Sequence, residues 1–468
     1  MHKRGKNDSK YVRTSTAIVL TLIAVVLSSA LTYTLAASSS SIPFTIKGGL
    51  YPGAPDYTVW REGTHYFAKN SSGVIEFSNT NVSSVINQAI NSLPKVTVKL
   101  PNSAGTQVSA PHGWIHVKAG EYVLTAPISI PLGSRLKFTG EGTTQQDIYN
   151  GINGGTQFIV THDHGGLTAE STTDDVTTTG SALWIKDVEF VQNVSLAAGQ
   201  ACLSLDGMAW GKLENVQVTS YDKDVYGTGI KLYNNVGGDD AGATTIFEQV
   251  QVGGFGSGVN VRIDHWEAHS LDIYDCGTAL IWNICLYNHI YNLHIFRCKK
   301  IISVYGGFTT YGYAAIDQLY LEDIDDNTET QKWYIDSGFH GMLHIKGVNV
   351  DSSSSTYLWG INTDNNAKCK IWFENVVAVS SVSFPSVSTP TLTSGSEVKN
   401  DKMQAVQVYI RSSTTTDKFT LIVNGDTVGS FIGVSVILRP GDRIKVSYTV
   451  TTYWSWEGYS AERYHYDD

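Results

Sequence analysis

The sequence predicts an all-β chain built mainly as a parallel β-solenoid. Three observations predict it. Only 16% of the 468 residues are charged, against about 25% in a typical soluble domain, and Gly (44), Tyr (25) and Trp (11) fill much of the gap. A short apolar/polar pattern recurs from about residue 182 to 380. No helical period appears between its copies. The composition excludes a disordered acidic tail, a coiled coil and a helix-rich cytosolic enzyme.

Residues 1–13 carry Lys3, Arg4, Lys6, Lys10 and Arg13 against Asp8 alone. The whole chain has 33 basic and 43 acidic residues, so 28 and 42 remain without that tail, a net of −14. An acidic body argues against nucleic-acid binding, which needs basic surface to replace counterions. Residues 1–16 read as a cytoplasmic basic tail. Ala17 to Ala36 is an uncharged run of 20 residues, long enough at about 1.5 Å per residue to cross a hydrocarbon core of about 30 Å. The basic flank places the N-terminus in the cytoplasm and the remainder outside. A signal anchor holding the chain to the membrane and a signal peptide cut near Ala36 are the two readings; both make the body extracytoplasmic. Export makes the sequons at Asn70, Asn81 and Asn193 candidate glycosylation sites.

Val82 to Leu93 places apolar residues at 82, 85, 86, 89, 90 and 93. That spacing predicts an amphipathic helix over 82–93, suited to cover the open end of the first repeat, where bare strand edges would aggregate.

The repeat unit is apolar, any, polar, apolar, any, apolar. It reads Ile185-Lys186-Asp187-Val188-Glu189-Phe190, then Leu213 to Val218, then Phe247 to Val252. Further copies centre on Leu271, Leu293, Leu319, Val348 and Val376, at spacings from 21 to 34 residues. Each unit holds two or three short strands with period-two alternation. A period of about 20–30 residues fits a solenoid whose turns grow while its strands stay in register. The polar residues before the anchors (Asp187, Asn215, Gln249, Ser270, Asn292, Gln318 and Asn375) read as a structural column at a tight corner.

The segment Trp114-Ile115-His116-Val117-Lys118-Ala119-Gly120-Glu121-Tyr122 precedes Ile128-Ser129-Ile130-Pro131 and Leu136-Lys137-Phe138-Thr139-Gly140-Glu141-Gly142. This order, after a helix, resembles the opening of the pectate lyase-like superfamily, over about residues 75–380. The resemblance implies a right-handed parallel β-helix, here of about ten rungs over residues 42–380. It also implies a polysaccharide ligand, since the superfamily includes polysaccharide lyases, polygalacturonase-type hydrolases, epimerases and viral tailspikes. The hydrolase motifs find only disordered matches here, at Asp239-Asp240, His340-Gly341, Asn362-Thr363-Asp364 and Arg443-Ile444-Lys445, which read as chance.

Residues 381–401, rich in Ser, Thr and Pro, read as a linker. Residues 402–468 alternate in several short runs, with a hairpin signal at Asn424-Gly425. They predict a small antiparallel, sandwich-like β-domain.

Aligned repeats place equivalent side chains about 5 Å apart on adjacent rungs. Asp272 beside His294 makes a candidate acid/base pair, and Glu322 is a third candidate catalytic residue. Glu214/Glu248 and Glu322/Asp351 are further candidate carboxylate pairs. The bland reading of each is a solvated outer face. The acidic loop Glu322 to Glu329 offers hard oxygen ligands, so calcium is the candidate cofactor, against a plain solvated loop. His162 and His164 are a candidate metal-ligand pair without an identifiable third ligand, so no metal site is assigned. Cys276 and Cys298 fall at the same place on neighbouring rungs; a disulfide and a reduced interior pair both fit. Lys231, Tyr233, Arg262 and Tyr305 on the second strand, and Trp454 and Trp456 near the C-terminus, are candidate sugar contacts.

Two functions stand. One is an extracytoplasmic polysaccharide lyase or glycosidase. The other is a non-catalytic surface adhesin or tailspike-like glycan binder. A homo-oligomer stays open.

Overall fold

The computed structural model describes residues 53–99, 107–143, 154–169, 181–206, 208, 210–221, 225–233, 244–263, 265–284, 287–306, 312–324, 332–336, 341–351, 361–363, 370–378, 389–400, 406–438, 442–449 and 452–458. They form an all-β structure with long parallel sheets and, among the described residues, one helix. The basic tail and the apolar run 17–36 lie outside them. Among the described residues no helix is long and apolar enough to cross a membrane.

Two large sheets hold most of the chain, one of 17 strands and one of nine. From Ile128–Ile130 onward the chain passes back and forth between them. Ala182–Gln192, Trp210–Ser220 and Thr244–Gly253 lie in the larger sheet, and Ala201–Ser204, Val225–Tyr233 and Phe255–Arg262 in the smaller. The pairing inside the smaller sheet is parallel throughout.

The anchors pair in sequence without a slip. Val188 faces Val216, then Val250, Leu271, Leu293, Leu319, Val348 and Val376. Val188 to Val348 are all buried in one continuous core that takes side chains from both sheets. Phenyl rings stack through its early part. Tyr66, Tyr122, Phe158 and Phe190 follow one another at centroid distances of 5.9, 5.6 and 5.0 Å. Phe247, Trp266 and Trp282 continue the pattern with edge-on contacts of 5.5 Å each.

The polar corner column is realised in part. Asp187, Asn215 and Gln249 adopt φ of 56°, 51° and 54°, the left-handed region that short polar side chains tolerate. Asn215 Nδ2 donates to Asp187 Oδ1 at 2.8 Å, one repeat away. At Ser270, Asn292 and Gln318 the bend moves to the other end of the strand, where Asp275, Arg297 and Asp323 take φ of 51°, 49° and 48°.

Helix α1 spans Val82–Ser92, with Asn81 as its N-cap accepting from the Ser84 amide. Its buried face is Val82, Val85, Ile86, Ala89 and Ile90. Its polar side chains close an edge. Ile128–Ile130 is the terminal strand of the nine-stranded sheet. Asn87 donates to Pro127 O at 3.0 Å and accepts from Ser129 N at 2.9 Å, and Ser83 donates to Ala126 O at 2.7 Å. These bonds satisfy backbone groups that the edge would otherwise leave open.

Two boundaries differ from expectation. Residues 57–79 form an antiparallel meander of Tyr57–Glu62, His65–Asn70 and Ile75–Asn79. Its first strand then pairs in parallel with residues 115–117. The expected linker contains Glu397–Lys399, which pairs with Arg443–Lys445, so the C-terminal domain starts before 402. That domain has antiparallel sheets of four and three strands around an apolar core of its own. Asn424 and Gly425, at φ 54° and 88°, make the two-residue turn that joins Val423 to Asp426.

Phe158 touches three other rings, Tyr122, Phe138 and Phe190. Phe158→Ala is expected to cost about 3–5 kcal/mol of stability through lost burial and the cavity left behind. Denaturant unfolding checks this; an unchanged midpoint with an unchanged slope contradicts the stacked core.

Candidate functional site

Outward side chains one place after the anchors form a polar column. In register it runs Gln157, Glu189, Gln217, Gln251, Asp272, His294, Tyr320 and Asn349. It is packed tightly enough at its lower end to bury Glu189 and Gln217. Gln157 Nε2 donates to Glu189 Oε2 at 3.0 Å. Higher up, Gln251 Nε2 donates to Asp272 Oδ2 at 3.4 Å.

The structure brings Asp272, His294 and Glu322 together. His294 Nδ1 lies 3.5 Å from Asp272 Oδ1, and Nε2 lies 3.3 Å from Glu322 Oε2. Asp272 reaches His294 because the two are paired residues on adjacent strands. Glu322 arrives differently: it is paired with Phe296, two places further along, and its side chain turns back to the imidazole. Each of the three is about one-third exposed. Gln251, Asp272, Ile273, Tyr274, His294 and Phe296 line a cavity of about 160 Å³. That is below the ~300–1,000 Å³ of a pocket that encloses a small ligand.

Electrostatics single out His294. Its hydrogen bond to Asp272 raises it above the ordinary imidazole value, burial works against that, and Glu322 adds to the rise. Burial pushes the neighbouring Tyr274 phenol up to about 12, while a hydrogen bond with Gln217 pulls the other way. The imidazole thus stands between two carboxylates that both favour its protonated form, beside a phenol that burial disfavours ionising.

The other candidate carboxylates do different work. Glu214 and Glu248 share Lys212, at 3.0 and 2.8 Å, and Glu214 also bonds Lys186. Both carboxylates are thus engaged in ion pairs with lysines. Of the acidic loop 322–329, only residues 322–324 are described. Among the described residues no group of three or more His, Cys, Asp or Glu is arranged to hold a metal ion. The His162 and His164 rings stand 6.3 Å apart, and His164 pairs with Asp163 at 3.5 Å.

The sugar-contact candidates divide. Lys231, Tyr233 and Arg262 cluster on the nine-stranded sheet. Lys231 Nζ and Arg262 Cζ lie 5.3 and 4.8 Å from the Tyr233 ring centre, and Arg262 donates to the Tyr233 hydroxyl. Asp206, which the sequence reading missed, holds Lys231 at 2.9 Å. Burial raises the Asp206 carboxyl above the usual carboxylate range, and Lys231 opposes the rise. Tyr305 stands further along the same sheet, 5.3 Å from Tyr334. Trp456 is different: it is 3% exposed in the C-terminal core, so its ring offers no face to a ligand. Trp454 packs against that core and donates to Pro390 O at 2.8 Å. Both belong to the packing of that domain.

His289, also missed, pairs with Asp317 at 2.9 Å, and Lys346 joins the same carboxylate at 3.1 Å. Alignment of the repeats shows Asp317 on the outer face; His289 lies two further places back on its strand, outside the columns that were compared. Among the sequons, Asn70 ends a strand with its side chain bonded to Glu76, Asn81 caps α1, and Asn193 is exposed. Cys276 and Cys298 are both buried free thiols.

No protein-family model matches the chain, and no curated protein matches it.

The His294 arrangement has a pH signature. Its raised folded value means that its contribution to stability is fully present below about pH 6.5, the unfolded value. The contribution is lost as pH rises through the folded value. Asp272→Asn is therefore expected to destabilise most under mildly acidic conditions, with the gap to wild type closing at higher pH. NMR titration of His294 should show a lower midpoint in Asp272→Asn and in Glu322→Gln; an unmoved midpoint in both contradicts the pairing.

Proposed function

We propose that this protein is an extracytoplasmic right-handed parallel β-helix of the pectate lyase-like kind that acts on polysaccharide, with Asp272, His294 and Glu322 as its acid/base groups. Three features support the fold. The chain alternates between two parallel sheets, both sheets feed one core, and the anchors keep register through eight repeats. The N-terminal basic tail and apolar run support the location, either anchored or released after cleavage.

The single observation that carries the activity is the imidazole held between two carboxylates beside a small surface cavity. Cleavage of a glycosidic bond needs an acid to protonate the departing oxygen and a base to take a proton. In hydrolysis the base takes it from water; in elimination it takes it from the sugar carbon next to a carboxylate. His294 fits the acid, and Asp272 or Glu322 fits the base.

A second reading is favoured by a separate observation. The polar and aromatic row of Lys231, Tyr233, Arg262 and Tyr305 lies on the other sheet. Stacking faces and directed hydrogen-bond donors there suit retention of a glycan without cleavage. On this reading the protein is an adhesin-like or tailspike-like binder.

The test incubates the full chain with acidic and neutral polysaccharides, with and without calcium, and follows new reducing ends and unsaturated-product absorbance. Activity is expected to fall by about 10²–10⁴-fold in His294→Ala and in Glu322→Gln. Binding without product on any substrate favours the second reading, and binding then drops in Tyr233→Ala. Equal activity in the two site variants and wild type removes the acid/base assignment.

A further inference from the structure

Cys276 and Cys298 lie 22 positions apart in the chain. The strands before and after them pair at that same offset, Tyr274 with Phe296 and Thr278 with Lys300. The two cysteines are therefore direct neighbours across adjacent repeats. Their local backbones match as well. Asp275 and Arg297, which precede them, take φ of 51° and 49°, so each chain turns the same way before its cysteine. Two backbone bonds tie the corners together, Asp275 N to Phe296 O at 3.0 Å and Lys299 N to Cys276 O at 3.0 Å.

Both side chains point into the core, at 2% and 0% exposure. The register of the flanking strands sets the two thiols side by side in that core. Each sulfur also makes hydrogen bonds to carbonyl oxygens. Cys276 Sγ is 3.2 Å from Tyr274 O, and Cys298 Sγ is 3.5 and 3.7 Å from Phe296 O and Ile273 O. These are weak bonds, and losing them costs little. Adjacent strands stand about 4.8 Å apart, inside the roughly 4.4–6.8 Å Cα separation that a disulfide spans.

We propose that Cys276 and Cys298 are an oxidation site that closes into an intrachain disulfide between successive repeats. In the closing step each thiol gives up its hydrogen and one sulfur–sulfur bond forms. Two electrons and two protons pass to a disulfide oxidant, which leaves as its dithiol. Burial pushes the Cys298 thiol up and disfavours the attacking thiolate, so the exchange belongs to folding, before this corner is covered. The bond has a local consequence. Asp272 and His294 each lie four residues before one of the cysteines, on strands that end two residues short of them. The disulfide staples together the two strands that carry the acid/base pair.

The test refolds the full chain in oxidised and reduced glutathione, alkylates it in denaturant, and maps the peptides by mass. The peptides of Cys276 and Cys298 are expected to appear joined, lighter by two hydrogens, and to separate on reduction. Alkylation of both cysteines in every oxidised sample overturns the proposal, as does either cysteine joined instead to Cys202, Cys285 or Cys369. Reductant is also expected to lower the Tm of the wild type by several degrees and to leave Cys276→Ser/Cys298→Ser unmoved; an equal fall in both overturns the proposal. Peptide mapping of the wild type decides the matter even where the double variant does not fold.

Discussion

Everything here depends on parallel strand pairing held in one register. Val188 to Val376 pair one after another, while the chain between them lengthens and shortens from 21 to 34 residues. A slip of one residue would turn every core side chain outward. Variation in length falls in the connections and in one bulge, between Val225 and Thr228 of the smaller sheet, while the anchor pairs keep their register. The backbone hydrogen bonds also satisfy groups that would be costly to bury unpaired.

The same pairing imposes an electrostatic rule. Outward residues at equivalent places stand about 4.8 Å apart along the sheet, so a column of like charges would repel itself. The surface answers by alternating its partners. Lys212 stands between Glu214 and Glu248, and Lys137 lies over the rings of both Trp114 and Trp184, at 4.0 and 4.7 Å. The column Asp272, His294 with Glu322 turned in obeys the same rule, with a titratable imidazole in place of a lysine. That exchange makes the charge of this cluster depend on pH near the imidazole's range, which a lysine would not do.

Much of this was legible in the sequence, because period-two alternation repeated at a regular interval has few physical causes. The anchors were readable as Val188, Val216 and their successors, and equal offsets from them put Asp272 beside His294. Glu322 is not at an equal offset, and its place against His294 depends on a side-chain rotation that no spacing encodes. Asp206 lies just past a strand of four residues, too short for alternation to assign it a face. Trp456 was misread because a crowd of aromatic residues looks alike whether it faces a ligand or a core. The meander at 57–79 has no repeat to announce it, and Glu397–Lys399 is only three residues long inside a Ser/Thr/Pro-rich stretch. Both take their form from partners distant in the chain.

Helix α1 has a consequence beyond the stability it adds. Parallel strands stacked in register are the pairing geometry of fibrils, where each added layer exposes a fresh edge identical to the last. Asn87 ends that series at Ile128–Ile130 by filling the positions that a further strand would take. A further strand arriving at this edge would first have to displace Asn87 from both of its backbone bonds.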